Sequence, residues 1–62
     1  MNKLKDILED RCMTQRKLSD KTGISEITIS RYVNGKRTPN VREAMLIARA
    51  LNVSVDTIWP AE

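Results

Sequence analysis

The sequence predicts an all-α fold built from five short helices. Three observations lead there. Apolar residues recur at three- and four-residue spacing. Ser, Thr or Asn precedes most of these runs, and Gly or Asn follows several. No two segments read as partner strands, and an isolated pair would be barely stable. Sixty-two residues suit one small domain, 1–62, with one small core. Dimerisation helps so small a core.

The first helix is expected over about residues 2 to 12, with Leu4, Ile7, Leu8 and Cys12 near one face. Cys12 then reads most simply as a small buried apolar residue, with a reactive thiol as the rival reading. Thr14 is a good N-cap for a second helix, opening at Gln15 and ending near Lys21, with Leu18 as its main core residue. Ser19 is small enough to let another helix approach. Gly23 stops the helix, because it adopts the positive φ that a β-carbon disfavours. Ile24 anchors the turn in the core.

The next stretch, GISEITISRYVNG, is ambiguous on composition. Ile24, Ile27, Thr28 and Ile29 are β-branched and have polar neighbours, as in a strand. With no pairing partner, a helix from about 26 to 33, capped by Ser25, sorts the residues better. Ile29, Tyr32 and Val33 then share a face. Glu26, Ile27, Ser30, Arg31 and Asn34 form the opposite stripe. Asn34-Gly35 ends this helix, and Lys36-Arg37-Thr38-Pro39 is a basic loop. Asn40 caps a fourth helix, with Glu43 completing a capping box. Val41, Ala44, Met45, Ile47, Ala48 and Leu51 are its apolar positions, and Asn52 its stop. Ser54 caps a last short helix carrying Val55, Ile58 and Trp59, ended by Pro60.

Composition narrows the function classes. There is no histidine and one cysteine, so an intrachain disulfide is impossible and no metal site or cofactor is expected. No general-base histidine or phosphate-cradling glycine loop points to an enzyme. No apolar run approaches the ~20 residues of a membrane span, and the amino terminus lacks a signal pattern. The chain reads as intracellular, so a cytoplasmic protein is expected. Residues 14 to 42 carry seven basic and two acidic residues, against four and six elsewhere. That segregation favours a polyanionic partner over a merely solvated surface.

A helix, a tight glycine turn, a helix and a basic loop form a helix-turn-helix arrangement, here about 14–34. TQRKLSDKTGISEITISRYVNGKRTP resembles the Cro and lambda-repressor-like helix-turn-helix family. The matching residues are Thr14-Gln15, Leu18, Ser19, Gly23-Ile24-Ser25, Thr28-Ile29-Ser30, Asn34-Gly35 and Pro39. The tail IARALNVSVDTIW resembles the family's fourth and fifth helices, so the likeness runs from Leu4 to Trp59. It implies a compact five-helix lambda-repressor-like DNA-binding domain with its helix-turn-helix in helices 2 and 3. It also implies sequence-specific binding of double-stranded DNA by a transcriptional regulator, usually a repressor acting as a homodimer on a near-palindromic operator. The same fold also serves as a protein-interaction module, an anti-repressor or adaptor. No small-molecule ligand or membrane partner is indicated. Family members often pair an arginine at the position of Leu8 with a glutamate at that of Val33. Both are apolar here, so these side chains are expected to touch.

Base-reading candidates follow from the stripe on the third helix. Arg31 suits guanine O6 and N7, with a surface ion pair as its rival role. Glu26 either accepts from a cytosine amino group or favours the positive end of its helix. Ile27 meets a thymine methyl or else a core or dimer neighbour. Ser30 and Thr28 reach bases or phosphates, Thr28 more naturally the backbone. Gln15, Arg16, Asn34, Lys36, Arg37 and Thr38 are the backbone candidates, with Lys17 and Arg42 as further cations. Val55, Ile58 and Trp59 are the dimer-interface candidates, although Ile58 also suits the monomer core.

Overall fold

A computed structural model describes residues 2–60. Its five helices are α1 (Leu4–Asp10), α2 (Gln15–Thr22), α3 (Glu26–Val33), α4 (Val41–Leu51) and α5 (Val55–Ile58). No strand occurs among the described residues. The β-branched stretch is therefore helical. Ile29 and Tyr32 gain more from burial than a helix loses through stiff side chains, since propensity is a fraction of a kcal/mol per residue and full burial of a large apolar side chain is worth ~1.5–3 kcal/mol.

Four N-caps form at the expected residues. The side chains of Thr14, Ser25, Asn40 and Ser54 accept from the backbone N–H of Lys17, Thr28, Glu43 and Thr57. Each satisfies a donor that the helix leaves without an internal partner. The capping box at α4 is only half made. Glu43 does not answer Asn40; its carboxylate instead accepts from the Tyr32 hydroxyl.

Helix ends share one device. Cys12, Gly23, Gly35 and Asn52 all have positive φ. After α1, Met13 N–H bonds the Leu8 carbonyl at 2.9 Å and Cys12 N–H the Glu9 carbonyl at 3.1 Å. Lys36 to Arg31 and Gly35 to Tyr32 repeat the pattern after α3, at 2.9 and 3.2 Å. These are Schellman closures, with the left-handed residue just past the helix. They correct the reading of Cys12. It lies beyond α1, which ends at Asp10, and it is exposed. The residue that turns back towards the core is Met13.

Leu4, Leu8, Leu18, Ile24, Ile29, Tyr32, Ile47, Ala48, Leu51 and Ile58 make the buried cluster, drawn from all five helices and the turn. Ile7 packs at its edge, and so does Val33. Leu8 and Val33 both line one recess with Met13 and Gln15, so buried Leu8 and half-buried Val33 open onto the same space. Two α4 positions depart from expectation. Val41 is 77% exposed and Met45 44%; only Ala44, Ile47, Ala48 and Leu51 face inward. Helical phase explains this, because Val41 and Met45 form a separate i, i+4 ridge.

Candidate nucleic-acid interface

The geometry starts at the α2–α3 turn. Gly23 has φ 77 and ψ 4, and its N–H bonds the Ser19 carbonyl at 2.9 Å. Thr22 Oγ1 donates to the Leu18 carbonyl at 2.8 Å and accepts from Ile24 N–H at 3.2 Å. The Ser19 hydroxyl donates to the Ile24 carbonyl. Hydroxyls thus satisfy the main chain on both sides of the turn, while the Ile24 side chain is buried. The relation between α2 and α3 is fixed by packing and hydrogen bonds together.

That relation leaves one side of α3 outside. Glu26, Arg31 and Asn34 are exposed, Ser30 is half-buried, and Ile27 is 69% exposed. An isoleucine so open to water has no packing role in the described chain. Ser30 Oγ accepts from Asn34 Nδ2 at 3.4 Å and keeps its own proton free to donate. Thr28 is half-buried, and its Oγ1 accepts from the Ser25 hydroxyl at 2.7 Å. Its hydroxyl proton likewise remains available.

Cations and amides flank α3 along the chain on both sides. Lys36, Arg37 and Thr38 are exposed on the loop after α3, which buried Pro39 pins to the body. Arg16 and Lys17 are exposed in the first turn of α2, and Gln15 is half-buried there. Because Thr14 takes the Lys17 N–H at 3.0 Å, the helix start still offers the earlier amides. Arg42 is exposed at the start of α4 and lines a polar recess with Ser25, Thr28 and Asn40.

One protein-family model, described as helix-turn-helix, matches residues 4–58. The chain belongs to the helix-turn-helix family. It is of the Cro/C1 type, and its five-helix architecture is the lambda-repressor-like one. Helix-turn-helix domains of this family bind double-stranded DNA in transcription regulation and are generally non-enzymatic. No curated protein matches the chain. Among the described residues, no group of His, Cys, Asp or Glu is placed to hold a metal ion, and no helix is long and apolar enough to cross a membrane.

The helix-turn-helix domain brings together the expected stripe and loop but separates the three carboxyl-terminal residues. Ile58 is fully buried in the core, which removes it as an interface residue. Val55 and Trp59 remain half-buried. They line a recess of about 240 Å³ with Thr38, Pro39, Val41, Ala44 and Met45. Trp59 follows α5 as its cap, and its indole N–H is buried without an acceptor. Reading α4 as one apolar face obscured the Val41–Met45 ridge; by helical phase those two fall well round the helix from buried Ile47 and Leu51, and that was the available signal. Sequence reading also missed Asn2. Placing it inside α1 hid its side chain, which bonds α3 from outside the helix.

Proposed function

We propose that this protein is a sequence-specific repressor that binds a near-palindromic operator as a homodimer. The observation that carries the reading is the exposed stripe on α3, with an isoleucine in water at its centre. A helix fits the major groove, where each base pair displays its own pattern of donors, acceptors and methyl groups. In this reading Arg31 bonds guanine, Ile27 covers a thymine methyl, Ser30 donates to a base, and Glu26 accepts from cytosine or rejects other bases near the helix start. Gln15, Arg16, Thr28, Asn34, Lys36, Arg37 and Thr38 hold phosphates, where amides and cations suit oxygen anions. The second copy packs against Val55 and Trp59, with Val41 and Met45 extending the apolar surface. A two-fold pair sets its reading helices ~34 Å apart, one turn of DNA. Occupancy of the operator then blocks polymerase.

Selection of bound duplexes from a random pool tests the sequence recognition and the two-fold pairing in this reading. An enriched inverted repeat with half-sites one turn apart is the expected result. Enrichment of an unrepeated sequence removes the homodimer. Absence of any duplex binding at low salt removes DNA recognition and supports a protein-interaction module on the same fold.

A further inference from the structure

Tyr32 is held from three directions. Its ring is buried in the core, its hydroxyl donates to Glu43 of α4, and its carbonyl accepts from Asn2 Nδ2 at 2.7 Å. The same Asn2 side chain accepts from Leu4 N–H through Oδ1 at 3.0 Å. Those partners fix the amide's orientation, because the N–H needs the oxygen and the carbonyl needs the nitrogen. Next along the chain, Lys3 N–H bonds the Ile58 carbonyl at 2.9 Å. Two residues ahead of α1 therefore tie the last turn of α3 to the end of α5.

The Tyr32 carbonyl lies in the turn that carries Arg31 outward. Backbone closure alone gives that carbonyl one partner, Gly35 N–H at 3.2 Å. The Asn2 bond is shorter and comes from another element, so it opposes tilting or fraying of the turn. We infer that Asn2 is a positioning residue for base reading: its amide donor holds the carboxyl-terminal turn of α3 so that Arg31 meets the base edge in register. This rests on the proposed role of α3. Asn2 itself is half-buried and bonds a main-chain carbonyl of α3, so in this inference it acts through Arg31 rather than by touching DNA.

The test is a double-mutant cycle with a duplex selected from the random pool and a scrambled duplex of equal composition. Asn2→Asp keeps the oxygen that caps Leu4 and removes the donor to Tyr32. Asn2→Ser replaces the amide donor with a shorter hydroxyl that can still accept from Leu4 N–H, adds no charge, and serves if the aspartate chain is poorly folded. Binding is measured well below each variant's unfolding temperature. The expected result is a loss of about fivefold or more in the selected-to-scrambled ratio for Asn2→Asp, with scrambled binding and its salt slope unchanged. In the Arg31→Ala background the same change removes nothing further. Equal losses in both backgrounds, or an unchanged ratio in both, overturn the inference and leave Asn2 a purely stabilising cap. If the unsubstituted chain itself fails to discriminate, base reading by α3 falls first and takes the inference with it.

Discussion

Replacing Gly23 with alanine tests the turn that joins α2 to α3. A β-carbon at this position would meet nothing within 4 Å, so steric clash with neighbours is not the issue. The backbone is. At φ 77 and ψ 4 the residue sits in the left-handed region, which disfavours an L side chain by ~1–2 kcal/mol. Alanine recovers ~0.4–1 kcal/mol by restricting the unfolded chain. The net loss is ~1 kcal/mol, and valine, branched at the β-carbon, should lose more. For a domain of this size ~1 kcal/mol lowers Tm by ~4–8 °C. Thermal unfolding followed by far-ultraviolet circular dichroism measures it. An unchanged Tm for both variants would refute a left-handed glycine as the basis of the turn.

Four other outcomes follow from the same physics. Cys12→Gly should raise Tm by a few degrees, since relief of the left-handed strain at φ 52 outweighs the glycine's added freedom when unfolded by ~0.5 kcal/mol; a lower Tm counts against strain there. Lys36→Ala or Arg37→Ala should weaken selected and scrambled duplexes alike and reduce the salt slope by about one unit, whereas a sequence-selective loss at constant slope contradicts phosphate contact. Burial raises the Tyr32 phenol above its ordinary 10.0; the bond to Glu43 and the Glu43 charge act the same way, and Arg37 opposes them. Its contribution to stability is intact below about pH 10 and lost as pH rises through the folded value, so Tyr32→Phe should flatten the alkaline fall in Tm, and an identical pH profile would deny the coupling. Met45→Glu should leave monomer Tm nearly unchanged while weakening self-association in sedimentation, because Met45 faces solvent beside the recess of Val55 and Trp59; unchanged association would remove that face from the dimer.

Caps and stops were the most legible part of the fold. Thr14, Ser25, Asn40 and Ser54 act through atoms one turn away, so a few adjacent letters contain the information. The α3 stripe was legible for a related reason: once α3 is helical, Ile29 and Tyr32 define the inside and Glu26, Ile27 and Arg31 the outside. Cys12 was misread because apolar spacing continues past the true end of α1; a left-handed residue without glycine gives no such local mark. Glu43 sits at the right spacing for a capping box, yet its carboxylate is taken by Tyr32, eleven residues earlier. Asn2 and Ile58 likewise depend on elements far along the chain. Local chemistry writes helix ends into the sequence, whereas competition between distant partners is decided only on packing.

Tyr32 and Trp59 are the chain's sole tyrosine and tryptophan. One lies between α3 and α4; the other closes α5 beside the apolar recess. The unlabelled protein therefore carries two intrinsic chromophores at separate places. Indole emission should respond when a second copy covers the recess, and phenol absorbance when the α3–α4 contact loosens, so assembly and loosening of the reading helix can be followed optically in one sample.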